Sequence, residues 1–261
     1  MYKLKYRDLS IISNKKLSLI KNNKFKKLLI IPGLGCISKD YEFLLKSLNG
    51  IQIFIFKNPG HEGTICNLKN DYLLDYVKKI YCFLKHNNIQ NFNIFCHSMS
   101  SIIFILLFRN FLKNKDKNCK FIIFEGNLTE TDTSLVTQKT LSYTVKFFTE
   151  KGYENLLKKC ALSKDLSIRN LTTSLKIISA FDFYHYSKFV YKWSKNGNLI
   201  SYFKKFFKKS IYIYGENSAN IDLISKLGGQ KKICIKNGNH FAYIYHRDIF
   251  KNIIKSFIDN R

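Results

Sequence analysis

Residues 91–108, NFNIFCHSMSSIIFILLF, decide how the chain is read. Ile94 and Phe95 belong to a β-branched and aromatic run that leads into Cys96-His97-Ser98-Met99-Ser100, and an apolar, helix-compatible run follows at once. The pattern is a strand, a sharp turn with Ser98 at its apex, and a helix. A serine on such a corner projects its hydroxyl into a cleft. The helix behind it offers backbone N–H groups to a developing negative charge. Ser98 is therefore the candidate nucleophile.

Working outward, short apolar strands alternate with helices. Upstream, Lys3–Tyr6 and Leu17–Lys21 are weak strand candidates, and Lys27–Ile31 is a buried-strand run ending at Pro32-Gly33-Leu34-Gly35. Ser38 is placed to cap a helix over Lys39–Leu48, with Asp40 and Glu42 in its first turn. Ile51–Phe56 is the next strand, closed by Asn58-Pro59-Gly60-His61-Glu62-Gly63, and a helix with an apolar stripe covers about Asp71–Lys85. Downstream, Lys120–Phe124 is a strand ending at Glu125-Gly126. From Asn127 to about Phe206 strand signals vanish, and Tyr143–Lys159 and Leu171–Trp193 suit helices. The alternation then resumes with strand Ile211–Tyr214, helix Ala219–Leu227, strand Lys232–Ile235, the turn Asn237-Gly238-Asn239 with His240, and helix Ile249–Ile258. This order predicts an α/β class: a mostly parallel sheet with helices on both faces, carrying a helical insertion. In such sheets ligands bind at the carboxyl ends of the strands, where both prolines of the chain, Pro32 and Pro59, fall.

Composition narrows the function classes. A chain of 261 residues, 46% hydrophobic, can bury a full core. Its longest apolar run, Ile102–Phe108, is far short of the roughly 18 residues that span a bilayer. The first residues hold no apolar signal-peptide core, so a cytoplasmic protein is expected. Seven scattered cysteines without a CxxC pair read as small core hydrophobes. The net charge of +26 comes almost entirely from lysine, with arginine only at positions 7, 109, 169, 247 and 261. Phosphate and base contacts favour arginine, so the surplus reads as a solvated surface and no nucleic-acid partner is expected. The dense run Lys204-Lys205-Phe206-Phe207-Lys208-Lys209 leaves contact with an anionic membrane as a lesser reading. No spacing suggests a metal site and no glycine fingerprint suggests a nucleotide, so no cofactor is expected.

A serine is inert without a base in hydrogen-bond reach, and His240, in a loop after the last strand, can supply one. The N–H groups of Met99 and Leu34 are the natural oxyanion hole. The ordered set PGLG, NPGHEG, FCHSMS, helical insertion, YIYGE and NGNHF resembles the α/β-hydrolase superfamily over nearly the whole chain. Cys96 and Ser100 stand where that family's elbow usually has glycine. The resemblance implies a core of residues 1–126 and 207–261 with a cap over 127–206; Gly33 and Gly35 are expected at the substrate, and His97, beside Ser98, either lines the cleft with them or, as favoured, packs and hydrogen-bonds locally. Many relatives carry the triad's acid three residues after the glycine of the seventh strand, which here is Ser218. A branch that includes some haloalkane dehalogenases takes it from the end of the sixth, matched by Glu125; a dehalogenase itself would carry Asp at the elbow. Glu125 is favoured, with Glu216, Asp222 and Asp132 as alternatives. The expected activity is hydrolysis of an ester or thioester, a small-molecule substrate, through an acyl-enzyme. The insertion's aromatics, Phe147, Phe148, Phe181, Phe183, Tyr184, Tyr186 and Trp193, point to an apolar acyl or aromatic group. An acyltransferase with the same triad, or a non-catalytic binding protein on this fold, are the alternatives.

Overall fold

The computed structural model describes residues 1–16, 25–67, 69–112 and 119–259. Strands β1 (Tyr2–Tyr6), β2 (Leu9–Ser13), β3 (Lys26–Ile31), β4 (Ile51–Phe56), β5 (Phe92–His97), β6 (Phe121–Phe124), β7 (Ser210–Gly215) and β8 (Lys231–Ile235) form one sheet. Its order is β1-β2-β4-β3-β5-β6-β7-β8, and only β2 runs antiparallel to its neighbours. The expected α/β architecture is what forms. β2 escaped the sequence reading because LSIIS is short and its turn from β1 carries neither Gly nor Asn; Arg7 itself takes the left-handed φ of 49°. The strand proposed at Leu17–Lys21 lies outside the described residues.

The central strands are buried on both faces, so their apolar runs are nearly continuous. Alternate residues feed two cores. Leu29, Ile31, Phe54, Phe56, Ile94 and Phe121 face α2 (Tyr72–His86) and α3 (Ser100–Leu107). Leu28, Ile30, Ile53, Ile55, Phe95 and Ile122 face α1 (Glu42–Ser47) and α11 (Arg247–Asp259). Every residue of α3 is buried, which explains why its sequence shows no polar stripe. Four of the cysteines are buried, but Cys82 and Cys234 are exposed, and all seven are free thiols. No helix among the described residues is long and apolar enough to cross a membrane.

Between β6 and β7 lie α4 (Thr137–Leu141), α5 (Val145–Phe147), α6 (Tyr153–Ala161), α7 (Leu166–Leu175), α8 (Ala180–Asn196) and α9 (Leu199–Phe206). The segment is not uniform: Leu199 and Phe203 of α9 pack into the same core as α3. The single helix expected over Leu171–Trp193 is instead two. Ser179 accepts the Asp182 N–H at the start of α8, and Ile178 bridges to His61 across the break. Nor does Ser38 cap a long helix. A 3₁₀ turn over Ser38–Tyr41 precedes α1, and the Ser38 hydroxyl donates to Glu62 at 2.6 Å.

Asp40 ties the insertion to the core. Its carboxylate accepts from the Ile37 N–H at 2.8 Å and from the Ser174 hydroxyl of α7 at 3.2 Å. Burial pushes the carboxyl up to about 6. The folded chain therefore holds a proton that the unfolded chain releases near pH 4, and stability falls as pH rises from about 4 through about 6. Asp40→Asn keeps the shape and removes the charge. Relative to wild type it should gain on the order of 3 kcal/mol between pH 4 and pH 7. Urea denaturation of both proteins at the two pH values measures this, and a pH-independent difference would contradict it.

Candidate active site

β5 and β6 are hydrogen-bonded neighbours, with His97 opposite Phe124. The ladder continues one step past the strands: the Ser98 N–H donates to the Phe124 carbonyl at 3.1 Å and the Glu125 N–H to the Ile213 carbonyl at 3.0 Å. Both residues then leave their strands with left-handed backbones, Ser98 at φ 55° and Glu125 at φ 43°. Non-glycine residues rarely adopt this region, and such positions cluster at functional sites. Small neighbours permit the turn. A Cβ on Gly126 would lie 2.8 Å from the Cβ of Ser101, so neither position has room for more.

Glu125 is fully engaged. Its Oε2 lies 2.6 Å from His240 Nδ1, while Oε1 accepts from the Gly215 N–H at 2.7 Å and the Ser218 hydroxyl at 2.5 Å. The His240 side chain is 18% exposed and Glu125 only 8%. Three donors converge on one buried carboxylate, and the contact with Nδ1 orients the imidazole. None of the other carboxylates considered from sequence touches His240. Glu216 accepts from the Asn237 N–H at 2.8 Å, Asp222 pairs with Lys226 at 2.6 Å, and Asp132 caps the turn after β6 through the Leu128 and Thr129 N–H groups. Ser218, the position at which the resemblance points to an acid, hydrogen-bonds the Glu125 carboxylate instead. A hydroxyl in a loop carries no sequence signal for that role.

Ser98, Glu125, His240 and Leu34 all line one cleft of about 500 Å³. Among the described residues, the N–H groups of Leu34 and Met99 have no hydrogen-bond acceptor. The Ser98 hydroxyl is not hydrogen-bonded to His240; it donates to Asn127 Oδ1 at 2.9 Å. The cleft has two kinds of wall. Leu156, Cys160, Leu171, Leu175 and Phe183, from α6, α7 and α8, are apolar, whereas Thr131, Thr133, Asn217 and Asn220, from the loops after β6 and β7, are polar.

Two expectations are corrected. His97, Gly33 and Gly35 do not line the cleft. His97 is buried beneath it, stacked on Phe124, with Nε2 2.9 Å from the His240 carbonyl and Nδ1 3.1 Å from the Tyr41 hydroxyl. A carbonyl only accepts, so Nε2 carries the proton and Tyr41 donates to Nδ1. Burial, and then the proximity of His240, hold the His97 imidazole well below its usual range, so it stays neutral and fastens the loop that bears His240. Gly33 leaves room for that ring: a Cβ there would meet His97 Nδ1 at 2.8 Å. The second correction concerns the insertion's aromatics, of which only Phe183 lines the cleft. Tyr186 packs edge-on to His61, Trp193 donates to Asp71, Phe148 stacks on Phe183, and Phe147 and Phe181 face solvent. Most of them bind helix to helix.

The chain has the α/β-hydrolase fold. It is similar, at a TM-score of 0.74 and 17% identity, to a carboxylesterase structure from the thaumarchaeon Nitrososphaera gargenis, covering 98% of this chain and 97% of that one. MenH from S. aureus superposes with a TM-score of 0.71 at 14% identity over 91% of this chain and 95% of its own. A bromoperoxidase from Bacillus anthracis does so with 0.72 at 13% over 97% and 95%. No protein-family model matches the sequence, and no curated protein matches it.

Proposed function

We propose that the protein is a serine hydrolase that cleaves an ester or thioester through an acyl-enzyme. The observation that carries the reading is the 2.6 Å pair of His240 and Glu125 opening onto the same cleft as Ser98, which sits on a strained strand-to-helix corner. In this mechanism Ser98 Oγ attacks the carbonyl carbon and its proton passes to His240 Nε2. Glu125 holds the imidazole in the tautomer with hydrogen on Nδ1 and stabilises the imidazolium that forms. The Leu34 and Met99 N–H groups meet the oxyanion. His240 returns the proton to the leaving alcohol or thiol, and water repeats the cycle in reverse to free the acid. The segment 127–206 acts as the cap, through α4 to α8. The apolar wall of α6, α7 and α8 receives the acyl group, and the polar loops receive the leaving group. Proteins of the same fold include a carboxylesterase and an N-acyl homoserine lactonase, which is in keeping with carbonyl chemistry.

The experiment is a panel of p-nitrophenyl esters and acyl thioesters graded in chain length, followed by release of nitrophenol or thiol. Turnover that rises with apolar acyl length until the cleft is filled is expected. Addition of a primary alcohol as competing acceptor separates hydrolysis from acyl transfer. No turnover of any ester or thioester would overturn the proposal.

A further inference from the structure

The Ser98 hydroxyl has a partner that the hydrolytic mechanism does not use. Asn127, 4% exposed, lies one residue past Gly126 at the start of the insertion. It makes three hydrogen bonds, two of them to the elbow. Its N–H donates to the Ser98 carbonyl at 3.2 Å, its Oδ1 accepts the Ser98 hydroxyl at 2.9 Å, and its Nδ2 donates to the Asp132 carbonyl at 2.7 Å. The last bond fixes the amide's orientation, because a carbonyl can face only the NH₂ end, which leaves Oδ1 toward Ser98. The turn that supplies this carbonyl is itself held. Asp132 accepts from the N–H groups of Leu128 and Thr129 and, at 2.5 Å, from Asn220 of the loop after β7.

We propose that Asn127 is a positioning residue that parks the Ser98 hydroxyl away from His240, so that attack requires this bond to be exchanged for one to His240. The inference rests on the reading of Ser98 as a nucleophile. A hydroxyl has one proton, and while it is given to an amide oxygen it is not given to a base. The parked state is held by a neutral buried hydrogen bond, and removing its acceptor should speed attack by about 5-fold. Because Thr131, Asp132 and Thr133 line the polar side of the cleft, a leaving group bound there presses on the very turn that aims the amide.

The probe is a small fluorophosphonate, whose phosphorus forms a bond to Ser98 Oγ while fluoride leaves and the serine proton goes to His240. Second-order labelling rates are compared for wild type, Asn127→Ala and Asn127→Asp. Both variants lose the donor to the Asp132 carbonyl, so a merely structural role moves both rates the same way. Parking moves them apart. Alanine frees the hydroxyl and labels about 5-fold faster, whereas aspartate accepts the same proton in a charge-assisted bond and labels more slowly than wild type. Melting temperatures identify any variant that fails to fold, and Asn127→Ser then replaces Asn127→Ala. An Asn127→Ala rate equal to or below that of wild type overturns the proposal alone. A wild-type protein that does not label at all overturns the hydrolase reading and this inference with it.

Discussion

Ser98→Ala is expected to abolish fluorophosphonate labelling and to lower kcat on the best ester by roughly 10⁴-fold or more. The magnitude follows from what alanine leaves behind. Leu34, Met99 and the cleft would still bind and polarise a carbonyl, but no group would remain to form the acyl-enzyme, and His240 would have only water to activate. The fold should be unaffected. The Ser98 N–H and carbonyl make the bonds that hold the elbow, to Phe124, Ser101 and Asn127, and the side chain makes only the one to Asn127. Activity and labelling measured with a melting curve test this together. Residual turnover within about 10-fold of wild type would place the nucleophile elsewhere.

The second large effect is at Glu125. Glu125→Gln keeps the volume, but an amide cannot accept from the Gly215 N–H, the Ser218 hydroxyl and His240 Nδ1 while also disposing of its own NH₂ group. The imidazole would lose both its preferred tautomer and the charge that stabilises its protonated form. A fall in kcat of roughly 10³ to 10⁴-fold is expected, with little change in KM. Glu216→Gln and Asp222→Asn should stay within about 3-fold of wild type, since each serves only a surface contact. Near-normal turnover in Glu125→Gln, with loss in either of the others, would reassign the acid. Ser218 adds a subtler test: Ser218→Ala removes one of three donors to the carboxylate and should cost far less than Glu125→Gln.

The architecture was legible where periodicity and punctuation agree. Residues 91–108 announced their strand, corner and helix because burial on both faces leaves continuous apolar runs, and a helix pinned between sheet and neighbours needs no polar stripe. The contact between Glu125 and His240 could be anticipated from an absence, Ser218 where the resemblance points to a carboxylate, together with an unexplained carboxylate at a strand end. Other features had no local signature. β2 turns on an arginine in a left-handed conformation, which turn rules do not anticipate. His97 sits beside Ser98 in sequence, yet consecutive strand residues point to opposite faces, so its ring lies under the cleft floor. The aromatics of the insertion were visible as a set, but helical spacing alone does not separate a ring that faces a cavity from one that glues two helices; only Phe183 faces it. Asn127 is a polar residue in a loop, and its grip on Ser98 depends on a left-handed turn at Glu125 that propensity disfavours.

The sheet order has a consequence for how this protein can vary. β6 and β7 are adjacent and paired in register, Phe121 with Ser210 through Phe124 with Ile213, so residues 125–209 leave the sheet and re-enter it one strand away. Ser98 and Glu125 are set by strands that come before this excursion, and His240 by a loop that comes after it. The excursion thus behaves as an exchangeable cartridge clipped to a finished chassis. Its middle helices can be lengthened, shortened or replaced, which changes the apolar wall of the cleft while the spacing of Ser98, Glu125 and His240 stays as the ladder sets it.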